Sequence, residues 1–157
     1  MGRPAYTVSV KIHRAGEEDL GDLLPLVRAY CDFYGVKPSD DALLALSRAL
    51  IADPQGEGIQ LLARDGAGKA LGFATVFWTW STLSGSRIGI MNDLYVVGEA
   101  RGTGVADALI AACVDRCRER GATELDWQTA KDNLRAQAVY DRIGAQRAEW
   151  LDYSLEV

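Results

Sequence analysis

The sequence predicts an α+β fold in which a mixed, mostly antiparallel sheet is flanked by helices. Three observations favour it: two helical patterns separate the first strand from the second, three strands then follow one another with short turns, and the remaining strands alternate with helices. Dinucleotide-binding folds alternate strands and helices regularly, so this order argues against them. A length of 157 residues suits a single domain, 1–157, with a substantial core.

The first third of the chain predicts one strand and two helices. Alternating apolar residues indicate a strand over Thr7–Arg14. The acidic run Glu17–Asp19 starts a helix, which Pro25 is expected to kink or to delay. A second helix begins at Pro38–Asp41, and the turn-forming run Asp53–Gly56 ends it.

The middle of the chain predicts the antiparallel part of the sheet. Apolar runs at Ile59–Arg64 and Ala70–Trp80 are two strands, and Asp65–Gly68 between them has the composition of a hairpin turn. A fourth strand follows at Ile88–Val97.

The last third predicts alternating helices and strands. A helix from about Gly104 to Arg120 ends at a glycine, which is the usual C-terminal cap. Glu124–Gln128 is a fifth strand, Asn133–Ile143 a further helix, and Arg147–Leu155 a last strand.

Composition limits the binding partners, the cellular compartment and the metal chemistry that can be expected of this protein. The net charge of −5 argues against nucleic acid or an anionic membrane as the main partner. Because there is no apolar run of about 18 residues and no signal-peptide pattern, we expect a cytoplasmic protein. Cys113 and Cys117 lie one helical turn apart, but with His13 as the only histidine they make a poor zinc site. We expect plain thiols and no metal.

The junction between the fourth strand and the following helix is a candidate anion site. Glycines at Gly102 and Gly104 precede the helix, so bare backbone N–H groups would face a ligand at the positive end of the helix dipole. The spacing matches neither a dinucleotide fingerprint nor a phosphate-binding P-loop. The alternative is a tight turn in which the glycines only relieve backbone strain. Asp107 in the first helical turn would repel phosphate unless it points sideways.

A second constellation lies on the late helix. Asn133, Ala136 and Tyr140 share one stripe, because seven residues complete nearly two helical turns. A phenol with a pKa near ~10 can protonate a leaving thiolate, whose thiol has a pKa of ~8.5. The alternative is a tyrosine that packs at the edge of the core.

Together the two constellations resemble the GNAT superfamily of acyl-CoA N-acetyltransferases, from Thr7 to the end of the chain. Its two motifs, Q/R-x-x-G-x-G/A and N-x-x-A-x-x-x-Y, are met in order by Arg101, Gly104, Ala106, Asn133, Ala136 and Tyr140. The run Asn92–Val96 is similar to the polyamine and thialysine acetyltransferase branch, which usually has glutamate where Asn92 stands.

The resemblance implies acetyl-CoA as acyl donor, held where the fourth strand splays from the fifth. The residues implied in binding it are Leu94, Tyr95, Val96, Arg101, Gly102, Thr103, Gly104, Val105, Ala106, Asp107, Asn133, Arg135 and Ala136. Tyr140 would protonate the departing thiolate, and Asp93 would relay the proton of the amine. The alternative for Asp93 is that it orders a bulge in the strand.

The acceptor is expected to be a small cationic amine. Acidic residues outnumber basic ones in the first 60 residues, although an ordinary solvated helix face would look the same. Aromatic walls for a cation are expected from Tyr30, Phe33, Tyr34, Trp78 and Trp80, of which at least one of the tryptophans could be plain core. The alternatives are a protein or peptide N-acetyltransferase and a non-catalytic acyl-CoA-binding module. Family members are often dimers, so a homodimer is expected, with Trp150 and Tyr153 near the interface or in the core.

Overall fold

The computed structural model describes residues 9–157, and it confirms the α+β prediction. Thr7 and Val8 of the predicted first strand lie outside the described residues. The strands are β1 (Lys11–Arg14), β2 (Gly58–Arg64), β3 (Ala70–Ser81), β4 (Ser86–Val96) and β5 (Leu125–Asp126). The helices are α1 (Leu20–Phe33), α2 (Asp40–Ala52), α3 (Val105–Arg120) and α4 (Leu134–Arg142), with short 3-10 turns at Glu17–Asp19 and Gly98–Ala100. The strands lie in chain order in one sheet, in which only β5 runs parallel to its neighbour.

Each face of the sheet carries its own core. Leu61 packs on the α3 side with Leu109, whereas the next residue, Leu62, packs on the α1 and α2 side with Leu23 and Phe73. All five of these side chains are fully buried. The alternation follows from the two-residue period of a strand, and it explains why β2 has apolar residues on both faces.

The helix boundaries agree with the local chemistry. α1 begins at Leu20 after the 3-10 turn and continues through Pro25, so the proline does not end it. The Ser39 hydroxyl accepts a hydrogen bond from the Ala42 N–H at 3.1 Å and caps α2. The predicted cap of α3 is also present, because Gly121 adopts φ +75° there. Within residues 9–157, no helix is both long and apolar enough to cross a membrane.

A β-bulge interrupts the pairing of β3 with β4. Thr75 pairs with Asp93 and Val76 with Met91, which leaves Asn92 without an opposite residue. A bulge of this kind bends the strand and redirects its side chains. Here the bulge also exposes a backbone acceptor, because the Asn92 carbonyl accepts a hydrogen bond from the Tyr30 hydroxyl at 3.2 Å.

β4 and β5 separate soon after they pair. Their ladder contains only the pairs Gly89–Leu125 and Ile90–Asp126. The predicted fifth strand, Glu124–Gln128, is therefore too long. The chain after Asp126 leaves the sheet to border a cleft, so its backbone no longer faces β4.

The predicted last strand, Arg147–Leu155, is wrong. No strand is assigned there, and its large side chains are exposed, Trp150 by 79% and Tyr153 by 90%. A strand needs a ladder partner, and residues 147–155 form no backbone hydrogen bonds with any of the five strands in residues 9–157. Side chains hold the segment instead, since Arg147 pairs with Asp141 at 2.6 Å. This exposure also rules out a core role for Trp150 and Tyr153 within the described chain.

Candidate active site

The gap between β4 and β5 is a small cleft that collects residues from four elements. Its cavity volume is about 60 Å³. Six of the side chains singled out from the sequence border it: Tyr30, Tyr34, Leu94, Asn133, Ala136 and Tyr140. The separation of the two strands brings these residues together, because it opens the sheet between α1 on one side and α4 on the other.

The turn before α3 has the geometry of an anion cradle. Gly102 and Gly104 adopt φ +76° and +92°, a left-handed conformation that favours glycine. A Cβ added at either position would meet no atom within 4 Å, so the space beside the backbone is open. The first N–H groups of α3 have no acceptor within the helix. Val105, at the start of α3, is 1% exposed and packs in the core, so Gly102 and Gly104 form the open part of the turn.

Arg101 and Asp107 are both tied to neighbouring elements. The Arg101 Nε donates to the Val96 carbonyl at 3.0 Å, and its guanidinium lies 5.8 Å from the centre of the Tyr95 ring. Asp107 receives two hydrogen bonds from Arg142 of α4, at 2.6 and 2.9 Å, which lower its pKa. The carboxylate is therefore neutralised by α4, which accounts for an acid beside the cradle.

The N-terminus of α4 is fixed by its own cap. The Asn133 side-chain oxygen accepts a hydrogen bond from the Ala136 N–H at 3.3 Å. Because the side-chain oxygen of Asn133 is used in the cap, its NH2 group is the part that remains to donate hydrogen bonds to a ligand in the cleft. Arg135, two residues after Asn133, is exposed at the surface. Thr103 donates to the Ala100 carbonyl in the turn before α3.

Tyr140 lies against an aromatic wall. Its ring packs edge to face on Trp127, with 5.2 Å between the ring centres. Burial raises the pKa of Tyr140, and the nearby Tyr34 raises it further. The phenol therefore keeps its proton at neutral pH and can donate it.

A polar row crosses the sheet behind the cleft. Gln60, Thr75 and Asp93 are neighbours on β2, β3 and β4 on the α1 side, and the Gln60 amide donates to the Thr75 hydroxyl at 3.2 Å. Burial raises the pKa of Asp93, although hydrogen bonds from Thr75, Tyr30 and Asn92 oppose this. Among residues 9–157, no basic side chain forms an ion pair with Asp93.

The predicted aromatic residues divide between the cleft and other places. Tyr30 and Tyr34 pack edge to face at 5.1 Å in the cleft, and Phe33 continues the group, packing on Tyr34 although it is 60% exposed. Trp78 is buried and lines a different cavity. Trp80 is 69% exposed near the end of β3, where Arg87 lies over its ring.

Sequence reasoning missed Gln60, Thr75, Trp127 and Arg142. A signal existed for the first two, since each is a polar residue inside an apolar strand and must find a partner when buried. Trp127 and Arg142 gave no comparable signal, because their roles depend on where β5 and α4 lie relative to the rest of the chain.

The cysteines are plain thiols, as predicted. Cys113 and Cys117 are buried on α3, and Cys31 is half-buried on α1. Burial raises the pKa of Cys113 to about 12 and that of Cys117 to about 11, so both remain protonated. Within the described residues, no three histidine, cysteine or acidic side chains gather as a metal site.

Comparison with known proteins decides the family. Residues 23–145 match the profile described as "Acetyltransferase (GNAT) family". The chain belongs to the GNAT family of acetyltransferases. It is an acetyltransferase, and its mixed α+β fold matches that of solved acetyltransferases.

Individual relatives cover nearly the whole chain. The uncharacterized N-acetyltransferase YhfO of Bacillus subtilis is 30% identical over 94% of this chain and 98% of its own length. Thialysine N-epsilon-acetyltransferase of Bos taurus is 29% identical over 87% of this chain and 84% of its own length. A crystal structure of a probable acetyltransferase is 32% identical with a TM-score of 0.82, covering 94% of this chain and 97% of that one.

Proposed function

We propose that this GNAT enzyme transfers the acetyl group of acetyl-CoA directly to the primary amine of a small cationic molecule. The observation that carries the proposal is the cleft between β4 and β5. The half-buried phenol of Tyr140 borders this cleft on one side, and the half-buried carboxylate of Asp93 lies behind its other side. The name of the bovine relative, a thialysine N-epsilon-acetyltransferase, supports an amine acceptor.

The donor fits the residues present. The open glycine turn and the free amides of α3 would hold the pyrophosphate, and Arg142 removes the charge of Asp107 that would oppose it. The backbone of Leu94–Val96, on the β4 edge freed by the splay, would bind the pantetheine arm and the thioester carbonyl. Because β5 leaves β4 after Ile90, these groups need another partner.

The chemical step needs one proton acceptor and one proton donor. Asp93 takes a proton from the ammonium group, through Tyr30 or a water, and frees the nitrogen lone pair to attack the thioester carbonyl carbon. Backbone N–H groups of β4 stabilise the oxyanion. As the carbon–sulfur bond breaks, Tyr140 donates its phenolic proton to the departing thiolate. The resulting phenolate takes up, through water, the second proton that the attacking nitrogen loses, so that the neutral amide forms and Tyr140 is restored. The raised pKa of Asp93 makes its carboxylate a better proton acceptor, and the raised pKa of Tyr140 keeps the phenol protonated until the thiolate forms.

A cationic acceptor is favoured by the charges around the aromatic group. Tyr30, Phe33 and Tyr34 form one cluster on α1, and aromatic faces attract ammonium groups. Asp93 lies next to this cluster without a basic partner among the described residues, so an incoming ammonium group would supply the missing positive charge.

The test is the substitution Tyr140→Phe, which removes one hydroxyl and keeps the ring. We expect turnover on the best amine to fall at least ~10-fold with little change in acetyl-CoA affinity, because the thiolate would leave unprotonated. The measurement is thiol release from acetyl-CoA with a panel of polyamines, lysine analogues, aminoglycosides and lysine peptides. Tyr153→Phe, in the exposed tail, is the matched control.

The panel also separates the alternatives. Unchanged turnover in Tyr140→Phe would remove this residue from the mechanism while leaving the family intact. Acceleration by peptides alone would indicate a protein acetyltransferase. Thermal stabilisation by acetyl-CoA, with no active acceptor, would indicate a binding module.

We also expect a homodimer, because Trp150, Leu151 and Tyr153 expose large apolar surfaces in a segment without a strand partner. Size-exclusion chromatography with light scattering would contradict this by giving a monomer mass at micromolar concentration.

A further inference from the structure

A second and larger cavity lies at the other end of α3 from the glycine cradle. Its volume is about 350 Å³, and it shares no lining residue with the active-site cleft. Strands form its floor with Ile59 and Trp78, while its rim is formed by Arg14 of β1 and by Arg116, Glu119 and Arg120 of α3. Along the helix, the two sites are separated by roughly 20 Å.

The cavity is positively charged on an acidic protein. Three guanidinium groups and one carboxylate line it, whereas the whole chain carries −5. Glu119 accepts a hydrogen bond from Arg116 at 3.1 Å, which leaves Arg14 and Arg120 without an acid among the lining residues. The dipole at the C-terminus of α3 favours basic residues there. It does not account for Arg14, which comes from the sheet.

Arg120 is held rigidly and has one hydrogen-bond donor to spare. Its guanidinium donates to the backbone carbonyl and the side chain of Gln55, and lies 5.8 Å from the centre of the Trp78 ring. Its Nε is buried and has no hydrogen-bond partner in residues 9–157. The contacts with Gln55 and Trp78 fix the guanidinium plane, so the charge of Arg120 is held in place beside the cavity.

The aromatic floor is equally fixed. The Trp78 indole N–H donates to the Pro54 carbonyl at 3.0 Å, and the side chain is 8% exposed. An apolar floor beside a few convergent polar groups is the usual composition of a small-molecule site, and such sites span roughly 300–1,000 Å³.

We propose that this cavity binds a small organic anion with a flat apolar body. The body lies on Ile59 and Trp78. The anionic group faces the guanidinium groups of Arg14, Arg116 and Arg120, which together with Glu119 give the lining a formal charge of +2, three positive charges less one negative. Carboxylates and phosphates share this chemistry. The site is independent of the proposed acetyl transfer, because none of its residues borders the cleft.

The test is calorimetric titration of the full chain with 2-naphthoate, 1-naphthyl phosphate and the neutral 2-naphthalenemethanol. We expect saturable binding of at least one anion with one ligand per chain, and no saturable binding of the alcohol. The tighter anion identifies the head group that the arginines prefer. Saturating CoA should leave this binding unchanged, since CoA would occupy the other site.

Matched variants locate the binding. The double variant Arg14→Gln with Arg116→Gln should weaken the anion at least about tenfold, because both rim charges are lost. The control Arg118→Gln makes the same kind of charge change on the same helix, where Arg118 pairs with Asp115 and lines neither cavity. Melting temperatures check that the variants fold. Failure of both anions to bind, equal binding of the alcohol, equal affinity in the double variant and the control, or displacement by CoA would each overturn the proposal.

Discussion

The structure shifts the pKa values of two aspartates in opposite directions: that of Asp19, beside β1, is lowered, and that of Asp93, on β4, is raised. Burial alone would raise the pKa of Asp19, but hydrogen bonds from the Gly16 N–H, Arg64 and His13 lower it to about 2. Burial also raises the pKa of Asp93, where the opposing hydrogen bonds come only from the neutral groups of Thr75, Tyr30 and Asn92.

For both carboxylates burial is the largest single influence on the pKa, and it acts to raise it. The two sites differ in the groups that oppose burial, because those at Asp19 include the cationic Arg64, whereas those at Asp93 are all neutral. The presence of a cation decides the outcome, because an opposite charge offsets the cost of desolvating a carboxylate. Asp19 is therefore held ionised as part of the fold, whereas Asp93 is left ready to exchange a proton.

The largest expected effect comes from Asp93→Asn. We expect kcat to fall by about 100-fold, the lower range for loss of a general base. Folding stability should not fall, because a raised pKa means that the ionised carboxylate is less favourable in the native state than in the unfolded chain. Steady-state kinetics and thermal unfolding of the same preparation measure both quantities.

The pH profile sharpens this prediction. In the parent enzyme, kcat/KM should rise with pH as Asp93 loses its proton, and this acidic limb should vanish in Asp93→Asn. A variant that keeps both its turnover and its acidic limb would leave Asp93 as a residue that only orders the bulge.

The next effect is on stability, from Asp19→Asn. The pKa of Asp19 falls from 3.8 to about 2 on folding, so loss of the charge should lower the free energy of unfolding by about 2 kcal/mol at neutral pH. This contribution is present above pH 3.8 and is lost as the pH falls towards 2. The kcat of the folded variant should stay unchanged, the reverse of Asp93→Asn.

Urea unfolding at several pH values measures this contribution. Asp22→Asn is the matched control, because Asp22 pairs with the same Arg64 but its side chain is 61% exposed. The substitution Asp22→Asn should lower the free energy of unfolding by no more than about 0.5 kcal/mol. Equal losses in the two variants would mean that burial of Asp19 contributes nothing.

The smallest effect is expected from Thr75→Val, which removes one donor from Asp93 without touching the cleft. Because the Thr75 hydroxyl lowers the pKa of Asp93, its loss should raise this pKa and move the acidic limb of kcat/KM to higher pH. Thr75→Ser keeps the hydroxyl and should restore the parent profile. An unmoved limb together with a lower melting temperature would show that Thr75 has a packing role only.

The sequence was most informative where function requires a local backbone shape. The glycines before α3 and the spacing of Asn133, Ala136 and Tyr140 depend on neighbouring residues alone, so the turn and the stripe could be predicted. The row of Gln60, Thr75 and Asp93 could not, because it requires the register of three strands.

The C-terminal segment shows that a local sequence pattern can also predict an element that does not form. Arg147–Leu155 alternates as a strand would, but strand formation depends on an edge to pair with, and this segment forms no backbone hydrogen bonds with the five strands in the described part of the chain. The role of Asp107 was likewise hidden, since its partner Arg142 lies 35 residues away. Contacts of this kind are set by tertiary packing, which the local pattern does not encode.

The helix that carries Tyr140 is only lightly anchored. α4 has nine residues, none of them fully buried, whereas α3 buries five side chains. A helix this short is marginal in isolation. It is held by the Asn133 cap, the Trp127 ring and the Asp107–Arg142 ion pair. Its backbone amides should therefore exchange with deuterium well before those of α3. If the proposed function holds, local opening of α4 is the motion that we expect to widen a cleft of about 60 Å³ for its substrates.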